Sequence, residues 1–148
     1  MNGINQTMRR FGYPETLVAE TPHWSVQVRP VQAVLGQMVL VCREPVLQLS
    51  RISAAAHAGL KPLIERTEAC LARAFVYDKI NWLLLMMVDP DVHFHVLPRY
   101  AAPRSFAGVT FTDPGWPAAP SLGYVNTMQP STLAELTAHL RQLWQSPD

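Results

Sequence analysis

Charge is scarce in this sequence and nearly balanced. Charged residues fill 16% of its 148 positions and the formal net charge is +1 with neutral histidines. No basic field can hold a nucleic-acid backbone, and no run of Lys or Arg supplies a local one. Cysteine is limited to Cys42 and Cys70, in segments that read as a buried strand and a helix face. There, free thiols in a reducing compartment are commoner than a disulfide, and neither cysteine is assigned a chemical role. Long apolar runs are missing as well. The longest, Trp82 to Val88, falls far short of the roughly 20 residues that cross a bilayer. Met1 to Arg10 is polar and lacks the apolar core of a signal peptide. The expectation is a cytoplasmic protein with no membrane and no nucleic-acid partner.

What is present suits a packed core. Apolar residues make up 49% of the chain, with six Met and four Trp, and this length fits one domain spanning 1–148. Trp24 to Arg29 alternates apolar and polar, the period of a half-buried strand, after a weaker strand around Leu17 to Glu20. Gly36 opens Met38 to Cys42, whose continuous β-branched and apolar character predicts a strand covered on both faces. From Ser53 to Tyr77, Leu60, Ile64, Leu71 and Phe75 recur at helical spacing. Pro62 either kinks this helix or sits in the first turn of one beginning near Leu60. Lys79 to Val88 reads as a long strand, Asp89-Pro90 as a turn, and Val92 to Leu97 as the returning strand of a hairpin. The core is expected at about 15–100, followed by a Pro-rich arm at 101–130. A helix at 131–146 ends the chain, capped by Ser131 and lined by Leu133, Leu136, Leu140 and Leu143.

The chemistry concentrates at Asp91-Val92-His93-Phe94-His95. On a strand, residues two apart point the same way, so Asp91, His93 and His95 are expected on one face, about 6 to 7 Å apart. Val92, Phe94 and Val96 take the core face. Two histidines and a carboxylate so placed can hold a phosphate, a metal or a proton relay, and imidazole is the usual acid–base and nucleophilic group near neutral pH.

His93-Phe94-His95-Val96-Leu97-Pro98-Arg99 resembles the signature of the histidine-triad (HIT) family, His-φ-His-φ-His-φ-φ with φ apolar, including a Pro-Arg seen in its dinucleoside-polyphosphate hydrolase branch. Gly36 to Pro45 looks like that family's glycine-led strand, and Lys79 to Pro90 like its hairpin. The resemblance covers roughly Trp24 to Tyr100. It implies an α+β fold in which a meander-like antiparallel sheet of about five strands carries helices on one face, assembled as a homodimer. It implies attack by the middle histidine, His93, on the α-phosphorus of a nucleotide, with dinucleoside polyphosphates such as diadenosine tetraphosphate as the expected substrates. A nucleotidyl-histidine follows and needs no cofactor. His95 then supports a phosphate oxygen, while Asn81, Arg29 and Gln37 are candidate nucleotide contacts.

Three positions depart from the pattern. Asp91 stands at the first triad histidine, Gln37 replaces the histidine usual after the opening glycine, and Leu84 to Val88 replaces a Gly/Ser-rich phosphate loop. Asp91 either faces the phosphates as an unpaired anion or orients a histidine through a hydrogen bond, the second being favoured. Two other readings stay open: a metal enzyme using Asp-x-His-x-His, and a nucleotide-binding module without turnover. Asp113 to Pro117 either closes over a base or, more in keeping with a Pro-fixed aromatic loop, covers the sheet or a partner subunit.

Overall fold

Apolar strands separated by turn residues assemble into one antiparallel sheet. The computed structural model describes residues 3–146. The sheet's strands are β1 (Leu17–Glu20), β2 (Trp24–Val28), β3 (Met38–Cys42), β4 (Lys79–Leu83) and β5 (His93–Arg99). They lie in the order β1-β2-β3-β5-β4, so the sheet is not a simple meander. After β3 the chain crosses to the outer edge, forms β4 there, and returns as β5 between β3 and β4. The helix α2 (Ala54–Phe75) makes that crossing. A second pair, β6 (Arg104–Phe106) with β7 (Val109–Phe111), stands within the Pro-rich arm.

Helix α2 starts where Ser53 accepts a hydrogen bond from the Ala56 N–H at 3.0 Å, an N-cap satisfying one of the first turn's free donors. Pro62 lies within the helix and is exposed. It removes one interior hydrogen bond on the solvent side, where water can serve the freed carbonyl. The last helix, α3, runs Pro130–Gln145, with Gln129 at its N-cap position and Pro130 in the first turn. Ser131 is therefore inside the helix. Proline's preset φ and missing N–H suit that first turn and move the start one residue earlier.

Helices α2 and α3 cover one face of the sheet, over Trp24, Val26, Met38, Leu40 and Val96. The Trp24 indole N–H donates to the Ala56 carbonyl at 2.8 Å, fixing the start of α2 above β2. The opposite face is polar along β2 and was expected to meet solvent. It is buried instead: all five β2 residues are inaccessible. A short helix α1 (Gln6–Arg10) covers it, placing Met8 and Phe11 against Val39 and Val41. The polar residues beneath are satisfied, since Gln27 donates to the Met8 carbonyl at 3.0 Å and accepts from Ser25 Oγ at 2.8 Å.

Leu83 ends β4. Leu84 to Val88 were expected to continue the strand, but Met86 adopts φ 42°, a left-handed conformation that breaks extended pairing. Gly36 is constrained twice. Its φ is +84°, and an added Cβ would lie 2.8 Å from Phe75 Cε2, so the chain can pass over α2 into β3 only as glycine.

Candidate functional site

The ladder between β3 and β5 aligns Val41 with His93 and Val39 with His95. Directly opposed residues share a sheet face, so both imidazoles lie on the face covered by α1. The Phe11 ring packs on both, its centroid 5.8 Å from His93 and 5.9 Å from His95. His93 is 2% exposed.

One hydrogen bond assigns the His93 tautomer. Nδ1 lies 2.7 Å from the Asp91 main-chain oxygen. A carbonyl only accepts, so Nδ1 carries the proton and Nε2 presents a lone pair. That Nε2 lies 3.2 Å from Nε2 of His95. Burial, then the neighbouring His93 and Arg29, push the His95 pKa down to about 4, so His95 is neutral at physiological pH. Its single proton, placed on Nε2, meets the His93 lone pair. His95 Nδ1 is buried with no partner among the described residues, and a bare lone pair there leaves no stranded donor.

Asp91 lies outside β5, and its carboxylate is turned away from both histidines. Oδ2 accepts from Thr7 Oγ at 2.8 Å and from the Thr7 N–H at 3.3 Å, while the Asp91 N–H donates to Thr7 Oγ at 3.3 Å. The expected shared face fails because regular pairing begins only at His93. Asp91 does orient His93, but through its backbone carbonyl. Its side chain instead clamps that peptide unit to α1. The carboxylate therefore neither faces a phosphate nor joins the imidazoles as a third metal ligand, and no group of three metal-ligating side chains occurs among the described residues.

His93 and His95 open onto a cavity of about 170 Å³ that Arg29 and Gln37 also line. Gln37 Oε1 accepts from the Ala33 N–H at 2.9 Å, which orients its amide so that the NH2 is left for the cavity. Arg29 donates through Nη1 to the Val31 carbonyl at 2.7 Å, and its Nε is buried with no partner among the described residues. Burial lowers its pKa, yet guanidinium stays charged at neutral pH. The site thus offers one nucleophilic nitrogen, one imidazole N–H, one amide and one guanidinium, a set suited to a phosphate group.

Asn81 is not part of this cavity. The register sets it opposite Leu97, past His95, and its Oδ1 accepts from Arg99 Nη1 at 2.7 Å. Arg99 also forms a two-pronged pair with Asp113 at 2.7 and 3.0 Å, with side chains 4% and 0% exposed. Trp116 lines a separate depression together with Lys79, Asn81 and Arg99. The Asp113–Pro117 loop therefore covers the sheet away from the histidines.

The sequence reading missed Thr7, Phe11 and Leu122, which also touch the site. A signal existed for α1, since Asn5 caps it by accepting from the Met8 N–H at 2.9 Å. Five residues are too few to show a helical period.

The same fold occurs in histidine triad proteins of known structure. One from Bradyrhizobium japonicum matches with a TM-score of 0.72 and 18% identity over 95% of this chain and 96% of its own. One from Sinorhizobium meliloti matches at 0.73 and 16% identity over 96% of each chain. A third, from Marinobacter aquaeolei, matches at 0.68 and 20% identity over 97% of this chain and 98% of its own. No protein-family model matches the sequence, and no curated protein matches it. The chain has the HIT fold. Among its described residues no helix is long and apolar enough to cross a membrane.

The buried His95 predicts an acid-side loss of stability. Its pKa is about 4 in the folded protein against 6.5 as its ordinary value, so between those limits the unfolded chain binds more protons and folding weakens as pH falls from 6.5 toward 4. Melting temperatures across that range should fall less steeply for His95→Gln than for the parent. Equal slopes would show that His95 is not the group responsible.

Proposed function

We propose that this chain is a nucleotide-phosphate hydrolase or transferase that carries the nucleotidyl group on His93. The observation that supports this most is the 2.7 Å bond from His93 Nδ1–H to the Asp91 carbonyl, which leaves Nε2 as the lone pair at the cavity. In the first step Nε2 attacks the α-phosphorus. A P–N bond forms, the P–O bond to the leaving group breaks, and its electron pair departs on that oxygen. Because Nδ1 keeps its proton, the intermediate is a phosphoryl-imidazolium, and the Asp91 carbonyl stabilises its charge. Water or another acceptor then attacks phosphorus, releases neutral His93, and gives its proton to solvent.

The remaining side chains support charge on phosphorus. His95 Nε2–H turns from His93 to a nonbridging or leaving oxygen, as the Gln37 amide and Arg29 reach the others. Asp91 and Thr7 are positioning residues that hold the His93 tautomer. Asn81, committed to Arg99, is left out of the contact set. The nucleotide class rests on the HIT fold and the His93-Phe94-His95 motif. Dinucleoside polyphosphates, with diadenosine tetraphosphate first, are the named substrates to test within it. A homodimer is proposed alongside, because β4 is an edge strand with one open side, the common site for pairing with a second copy.

Intact-mass analysis of acid-quenched protein should detect a nucleotidyl adduct in the parent and none in His93→Ala, which should lose turnover while still binding nucleotide. Turnover within about threefold of the parent would sink the nucleophile assignment. His95→Ala should slow kcat by about 10² if it supplies one transition-state hydrogen bond. An unchanged kcat would make it a bystander. Thr7→Val breaks the clamp on the Asp91 peptide without touching substrate, so kcat should fall about tenfold with KM little changed, and Thr7→Ser should restore it. A loss in KM alone would mean that Thr7 is not positioning His93. Light scattering should give twice 16.6 kDa, and a monomer mass at micromolar concentration would refute the dimer.

A further inference from the structure

The cavity has a wall that the chemistry above does not use. Leu85, Met87 and Val88 reach it from the loop between β4 and β5, and Leu122 from the Pro-rich arm. All four are open to water: Met87 is 83% exposed, Val88 74%, Leu85 45% and Leu122 39%. A single exposed hydrophobe needs no explanation, but four from two distant segments converging beside a nucleophile do. The turn at Met86, with φ 42°, gives the loop its own shape instead of a continued strand.

The charges around the cavity limit what sits there. Among the described residues Arg29 is the only Lys or Arg lining it, and Asp89 lines it too. Arg10 reaches Asp89 from α1, its Nε 3.1 Å from Oδ1. Two guanidinium groups and one carboxylate leave a single positive charge, which balances one phosphate monoanion. A dinucleoside tetraphosphate would set further anionic phosphates against Asp89 and the apolar wall, with no additional lining cation to meet them.

We infer that the group attached to the reacting phosphorus is apolar: the cavity takes a nucleoside 5′-phosphate esterified to an aryl or alkyl group, seated on Leu85, Met87, Val88 and Leu122, in preference to a polyphosphate. The chemical step rests on the reading of His93 given above, whereas the recognition does not. In that step the P–N bond to His93 forms as the P–O bond to the apolar group breaks. The electron pair leaves on that oxygen, which takes a proton from water, and a second water releases the nucleoside monophosphate from His93. One ester and one water give one monophosphate and one alcohol or phenol.

Calorimetric titration of His93→Gln, which cannot turn over, separates recognition from chemistry. The phenyl ester of AMP should bind at least about tenfold more tightly than diadenosine tetraphosphate at equal ionic strength, an advantage of about 1.4 kcal/mol. Adding Met87→Ser and Val88→Ser should remove most of it. The inference is overturned if the tetraphosphate binds as tightly or more so, if neither ligand binds, or if the double substitution weakens AMP as much as its phenyl ester. A change of oligomeric state in the double variant would assign the apolar wall to a second copy and also overturn it. Intact mass of the parent with the phenyl ester reports separately on His93. Preferential binding without an adduct would sink the nucleophile reading and leave the specificity standing.

Discussion

The insertion of β5 between β3 and β4 is the constraint on which the rest depends. It gives β5 a hydrogen-bonded neighbour on both sides, so its register is held by two ladders. That register fixes which face His93 and His95 take, because a one-residue slip would drive both imidazoles into the apolar core under α2. At its far end the same strand delivers Arg99 to Asp113, tying the arm to the sheet through a pair that is almost wholly buried. Breaking such a pair by removing one partner typically costs about 3–5 kcal/mol, since a buried charge is left alone.

The polar face of the sheet is the second theme. Ser25, Gln27, His93 and the peptide at Asp91 are all buried there, yet each finds a partner. Helix α1 makes this possible. Met8 supplies a carbonyl to Gln27, Thr7 clamps Asp91, and Phe11 shields both imidazoles. The cover depresses the His95 pKa and strengthens every electrostatic contact within the cavity. Site and cover are coupled, because the residues that exclude water from the histidines also set their orientation.

The exposed loop at Leu84 to Val88 marks the largest chemical departure of this site from a polyphosphate cradle. Backbone amides and cations are what hold successive phosphates. Here the corresponding wall is Leu85, Met87 and Val88, and Arg29 is the one guanidinium lining the cavity among the described residues. Under the inference drawn above, the apolar wall meets one side of the substrate by shape and desolvation, and the charged side meets a single phosphate.

Local pattern determined much of this. Apolar periodicity placed the five strands and the two long helices, and the His93–His95 spacing put both imidazoles on one side of a strand, since these follow from backbone geometry alone. Ser53 announced the start of α2 by its capping chemistry. Contacts between distant segments were beyond such reading. The direction of the Asp91 carboxylate depends on Thr7, 84 residues away. The commitment of Asn81 depends on Arg99 and thus on Asp113. Burial of the Gln27 face depends on a helix too short to show a period. A side chain's partners are chosen by whichever segment the chain folds against it, and only the tertiary structure brings those segments together.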